Sequence, residues 1–436
     1  MMAGIVALIL VTLTVAFFLG AYVAVALGLT GFALLAVFAE RPTWPLLGEI
    51  AYGTATDTTL LAIPLFALMG EILVHGGITR RLYQALSGWF AWLPGGLLHT
   101  NIAASTLFGA VSGSSVASAA TIGSVALPEL DRRGYSRRLA LGSLAAGGTL
   151  GVLIPPSVVL IIYGVMAQVS IGDLFLGGVV PGLLMATLFM VTIALLVGLR
   201  RGDTTRSEPR KKLRTLLKDS LPIIPFVILI ALVVGTIYLG IATPTESAAF
   251  GCIGALVLAA VAGNLRWRTM PQVMLSTAST TGMIFLLLIG AFILQFALGY
   301  LGVPAALGQA LQATPLNAVT LPLAFAVVFL LLGIVLDELA MVVTIVPIVV
   351  PLLTTAGVDP LWFGILIVVL VQTGLIMPPY GMNLFVIHGV QRRVGWGERI
   401  TAVYRGAMPF VVALLVGIVL LFLFPALVTW LPSTAH

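Results

Sequence analysis

Apolar runs about as long as a bilayer is thick recur from one end of this sequence to the other, and they leave few folds open. A hydrocarbon slab of about 30 Å is crossed by roughly 20 apolar helical residues. Inside it the backbone amides have no water to bond, so a spanning run must satisfy them along its own helix. The expected fold is an all-α polytopic membrane protein in a lipid bilayer. Composition agrees: 60% of the 436 residues are hydrophobic and 8% are charged, whereas about a quarter of a soluble domain is charged.

Several chemistries are excluded early. The single Cys252 rules out a disulfide framework and any Cys-rich metal site. His75, His99, His388 and His436 are too scattered for a metal motif, and there is no HExxH, P-loop or dinucleotide-binding glycine motif. No cofactor is expected. The net charge of +6 sits in short loops between spans and is not a nucleic-acid signal. The amino-terminal apolar run has no preceding Lys or Arg and no small-residue cleavage site, so it is expected to stay as a span.

Residues 3–39 suit two short spans broken near Gly20 or Gly28, and 40–59 a connector or interfacial helix. A span at 60–74 is followed by Arg80, Arg81 and an aromatic cluster (Tyr83, Trp89, Phe90, Trp92) suited to the headgroup level. Then comes FGAVSGSSVASAATIGSVALP from Phe108, a patch of Ser, Gly and Thr between apolar arms. Unpaired hydroxyls and broken backbone are costly against lipid and survive where they line a site. The expectation is a re-entrant helical hairpin at about 96–130, although packing of helices through small residues is the plainer alternative. A broken helix at about 139–168 follows, interrupted at Pro155 and Pro156, which lack backbone donors. A span at 174–199 completes a first repeat over 1–199.

The polar stretch RRGDTTRSEPRKKLRTLLKD, 200–219, reads as a basic cytoplasmic linker. A second repeat over 220–436 has spans at 221–240, 248–263 and 281–298, and a connector to Thr314. A hairpin at about 316–353, a broken helix at about 361–390 and a last span at 406–431 complete it. Laid over each other at an offset of about 220 residues, the halves match three times in order. Gly70 falls on Gly290, the hairpin from Gly109 on that from Gly333, and GVLIPP at Gly151 on GLIMPP at Gly374. Five full spans and one hairpin per half force the second half to start on the opposite face. Every Lys and Arg except Arg41 then falls on one side, as the positive-inside tendency requires. The halves are therefore expected to be inverted-topology repeats with both termini periplasmic, their hairpin tips meeting near the midplane.

Together GAVSGSSVASAATIGS, AAGGTLGVLIPPS, SIGDLFLGGVVPG, LDELAMVVTIVPIVVP and PPYGMNLFV resemble the large membrane (M-type, dicarboxylate-transporter M-like) subunit of tripartite ATP-independent periplasmic (TRAP) transporters, over essentially the whole chain. The resemblance implies a multi-pass protein of the bacterial inner membrane and a small four-helix membrane subunit as partner. It also implies a periplasmic substrate-binding protein and sodium-driven import of an organic acid (carboxylate) by elevator-like alternating access. It implies one sodium site from Ser112, Ser115, Gly151, Ile154 and Pro156, and another from Gly333, the tip after it, Thr373, Gly374 and Met377. Unwound helix supplies carbonyls for such a hard cation.

Asp337 and Glu338 stand where the first hairpin has its serines; a carboxylate at membrane depth is costly and functional by default. Asp337 is expected to serve the ion or gate it, the alternative being a loop anchor, and Glu338 to be its structural partner. Ser114 and Asn383 are the substrate candidates, with a packing hydrogen bond the other reading of Asn383. Glu71 and Glu246 lie near span ends, where snorkelling or a bond to a partner subunit is the default. Two other functions stay open: a stand-alone sodium-coupled dicarboxylate or citrate carrier and, more remotely, an intramembrane hydrolase using Ser114 or Ser115 with a histidine, for which His99, several turns from the tip on the same hairpin, is a poor candidate.

Overall fold

A computed structural model describes residues 2–434 except 42, 200–212, 263–267, 313–317 and 334–335. Every regular element among the described residues is helical. Ile171–Leu199, Pro244–Val261, Met270–Tyr300, Glu338–Thr355 and Ile400–Leu423 are each long and apolar enough to cross a membrane. Ala62–His75 and Thr79–Phe90 qualify only as a pair, bent by 78°. The bend falls at Gly77, whose φ of 62° suits a residue without Cβ. Beyond it Thr79–Phe90 buries Leu82, Tyr83 and Leu86 and exposes Arg80, Arg81 and Gln84, the two-faced pattern of an interfacial helix.

Boundaries differ from the sequence reading where local chemistry was ambiguous. The first two helices, Met2–Phe18 and Val23–Phe38, part at Gly20, with φ 70°. Gly28 is instead a contact point: a Cβ there would lie 3.6 Å from the Gly290 Cα. Small residues thus let Val23–Phe38 lie close along Met270–Tyr300. The latter has 31 residues, so it begins well before the expected 281. Residues 40–59 contain the helix Trp44–Thr56, and the connector towards Thr314 contains Val303–Gln312. Most of the expected linker, 200–212, lies outside the described residues. Its end, Leu213–Asp219, is helical, and Leu216 finds a buried position against the rest of the protein. The last span stops at Leu423, and a short helix Ala426–Ser433 follows Pro425, which cannot donate to continue the ladder.

Two hairpins and two broken helices form the middle of the molecule. The first hairpin has arms Leu97–Ser112 and Ser115–Arg132; the second has Thr320–Leu332 and Glu338–Thr355. The first broken helix is Arg137–Thr149 then Val158–Ala167; the second is Pro360–Gly374 then Met382–Arg393.

Direction is fixed by contacts at the two ends. At a basic end Arg137 bonds both Asp131 and Glu398. There too Arg138 donates to the Arg405 carbonyl and Trp89 to the Ser220 hydroxyl. At the opposite end the Tyr163 hydroxyl donates to the Pro360 carbonyl (2.6 Å) and Thr245 to the Thr58 carbonyl (3.0 Å). The first broken helix therefore leaves the basic end and the second returns to it.

Candidate functional site

The first hairpin reverses in two residues. Gly113 closes the first arm in a left-handed conformation, φ 61°, with its N–H on the Gly109 carbonyl. That geometry favours glycine and terminates a helix. Ser114 then turns extended and caps the second arm, its hydroxyl accepting from the Ala117 N–H. Ser112 faces inward, its Oγ 2.9 Å from that of Ser118. Ser115, fully buried, is the first residue of the second arm.

The first break lies against this tip. Residues Leu150–Val152 tighten into a 3₁₀ turn, and Pro155 has no N–H to give the Gly151 carbonyl its helical bond. Gly151 is pressed on the hairpin: a Cβ there would lie 3.0 Å from the Ser114 carbonyl oxygen and 3.1 Å from the Ser118 Oγ. Pro156 stands on the other side, its carbonyl 3.0 Å from where a Gly113 Cβ would be. Ile154 sits in the same break and packs on Gly182. Ser112, Ser114, Gly151 and Pro156 are thus gathered at one place.

The second half repeats the arrangement. A Cβ on Gly109 would meet the Gly151 Cα at 2.7 Å, and one on Gly374 would meet the Gly333 Cα at 2.9 Å. These are the pairs that the sequence match makes equivalent. The break after Gly374 is looped back on itself, with Met377 N–H on the Gly374 carbonyl, Gly381 N–H on Met377 and Asn383 N–H on Leu375. Each carbonyl keeps a second lone pair for a cation. Thr373 is buried and its hydroxyl bonds the Val369 carbonyl.

Asp337 caps the second hairpin's long arm: its Oδ1 accepts from the N–H groups of Leu339 and Ala340, both at 2.9 Å. It therefore holds the role that Ser114 holds in the first half. The neighbouring Glu338 makes the link between halves, because the Ser115 hydroxyl donates to its Oε2 at 2.7 Å. The first residues of the two capped arms meet, so the positive ends of two helices converge on one point.

Asn383 is fully buried, with its Nδ2 on the Ala145 carbonyl at 3.3 Å and no partner for its Oδ1 among the described residues. Sequence reasoning missed Gln372, fully buried, whose Nε2 donates to the Thr149 hydroxyl at 2.9 Å and ties one broken helix to the other. A polar amide inside the apolar run VVLVQTG was the available signal. A cavity of about 740 Å³ lies elsewhere, at the end opposite the basic loops, lined by Asp57, Gln168, Asp173 and Tyr238 among others. None of the expected site residues lines it.

Helical spans with paired hairpin tips and interrupted helices define a membrane transporter, in which irregular backbone at depth lines a site. The chain belongs to the family described as tripartite ATP-independent periplasmic transporter, DctM component, whose model matches residues 10–427. It is 33% identical over 408 residues to the C4-dicarboxylate TRAP transporter large permease protein DctM of Pseudomonas aeruginosa, covering 93% of each chain. To the sialic acid TRAP transporter large permease protein SiaM of Vibrio cholerae it is 33% identical, covering 87% of this chain and 88% of that one. To the isethionate TRAP transporter permease protein DctMQ of Oleidesulfovibrio alaskensis it is 34% identical, covering 86% of this chain and 59% of the other. Its fold is similar to the crystal structure of the Alcanivorax borkumensis YdaH transporter, with a TM-score of 0.65 at 17% identity, covering 93% and 97% of the two chains.

Proposed function

We propose that this chain is the large membrane subunit of an importer driven by sodium, taking up an organic acid handed over by a periplasmic binding protein. A small four-helix membrane subunit is its partner in the inner membrane, with the basic loops cytoplasmic. The observation that carries this reading is the meeting of the hairpin tips at Ser115 and Glu338. Two helix N-termini favour an anion there, and the adjoining breaks offer carbonyl and hydroxyl oxygens suited to sodium. Ser112, Ser115, Gly151, Ile154 and Pro156 would hold one ion; Gly333, Thr373, Gly374 and Met377 the other. In this reading Asp337 shapes the second tip, and Ser114 stands nearest the substrate.

We infer that the halves are inverted repeats, because equivalent broken helices run in opposite directions and equivalent glycine pairs touch. Movement of hairpins and broken helices against the remaining spans would then expose the tips alternately to each side. Coupling follows insofar as ions and substrate stabilise each other's bound state. The relatives' names include two carboxylates and a sulfonate, so a small organic anion is the shared chemistry and a carboxylate the favoured member.

The stand-alone carrier is less well supported, since these relatives are TRAP components. The hydrolase has no support from geometry: His99 bonds the Pro94 carbonyl at the hairpin base and Ser115 bonds Glu338. Uptake by all three components in liposomes tests the proposal. It should stop when the sodium gradient is dissipated while membrane potential is held; undiminished uptake would overturn it.

A further inference from the structure

Glu338 makes no ion pair among the described residues. Its polar partner among the described residues is the fully buried Ser115 hydroxyl of the opposite half, and the next residue back is another carboxylate, Asp337. A half-buried carboxylate with no cation beside it is costly, and the two helix N-termini that converge on it offset that cost only in part. As donor to Glu338, Ser115 has its hydroxyl proton turned towards the carboxylate and its lone pairs turned away from it. A carboxylate that fixes a ligand in this way both orients it and strengthens it as a donor to a cation.

We propose that Glu338 is the counter-charge of the cation site at the first hairpin tip, so that the site is shared between both halves. Rested on the sodium-coupled reading above, this adds a reason for obligatory coupling. Without the cation, the Glu338 charge repels an anionic substrate from the tips; with the cation held against Ser115, that repulsion is cancelled. Glu338 is a positioning residue, acting through Ser115 and through its charge.

The test is sodium-specific thermal stabilisation of the full chain with its small subunit, titrating sodium chloride against choline chloride at constant ionic strength. Glu338→Gln keeps the shape and the bond from Ser115 but removes the charge. It should raise the sodium midpoint by about tenfold or more, and Glu338→Asp should raise it less. Glu246→Gln, which alters a second glutamate accepting from a hydroxyl (Thr243, 2.9 Å), at the end opposite the basic loops, should leave it unchanged. If wild type responds to sodium and Glu338→Gln responds at the same midpoint, Glu338 is a structural latch and the proposal is overturned. If wild type shows no sodium-specific response, the sodium-coupled reading falls and takes this one with it.

Discussion

Replacing Gly109 by alanine probes the contact on which the first site depends. Its Cβ would lie 2.7 Å from the Gly151 Cα and 2.9 Å from the Gly151 nitrogen, about 1 Å inside ordinary carbon contact. Both neighbours are backbone, so no side chain can swing aside. Overpacking of this kind costs about 1–3 kcal/mol, while alanine in a helix interior returns about 0.5–1 kcal/mol. Gly282→Ala isolates the second effect, since nothing lies within 4 Å of its Cβ. The difference between the two variants is then the clash alone. If the close-packed tip is needed for transport, that difference corresponds to a loss of roughly 5- to 150-fold in its population. Initial uptake rates in liposomes, beside melting temperatures of the same preparations, measure it. Equal uptake and stability for Gly109→Ala and Gly282→Ala would refute the reasoning.

Asp337→Ala removes a cap that accepts two N–H groups and should cost about 1–2 kcal/mol, visible as a lower melting temperature, with Asp337→Asn retaining most of it. Tyr83→Phe leaves the buried Asn101 Oδ1 without the donor that now lies at 2.7 Å; denaturation should show a loss of about 1–3 kcal/mol. At the base of the first hairpin, burial raises the Glu129 pKa, but hydrogen bonds from Arg132 and Arg133 outweigh it and hold the group below its ordinary value. A depressed carboxylate stabilises above its unfolded pKa and loses that contribution as pH falls through the folded one. Glu129→Gln should therefore be slightly less stable at neutral pH, by under about 1 kcal/mol for so exposed a pair. The gap to wild type should close as the medium is acidified.

The hairpins and breaks were legible because their residues are chemically forced. Gly113 at positive φ, the paired prolines and the capping Ser114 can do little else at those positions. Asp337 and Glu338 were harder, since adjacent carboxylates look alike in sequence. The cap position decides which one turns back on its own helix and which reaches the other half. Aligning Ser114 with Asp337 and Ser115 with Glu338 would have separated them. Leu213–Asp219 was hidden by its charges, because one buried leucine depends on a tertiary contact that composition does not record. Gln372 was overlooked for the converse reason: its partner Thr149 lies in the other half of the chain.

The central claim is that the two hairpins enter from opposite faces and meet tip to tip. In a Cys252→Ala background, Arg132→Cys at the base of the first hairpin and Thr354→Cys at the base of the second place single thiols at exposed positions. With a membrane-impermeant maleimide on intact spheroplasts, Thr354→Cys should label at once and Arg132→Cys only after permeabilisation. Labelling of both from the same side would contradict the account.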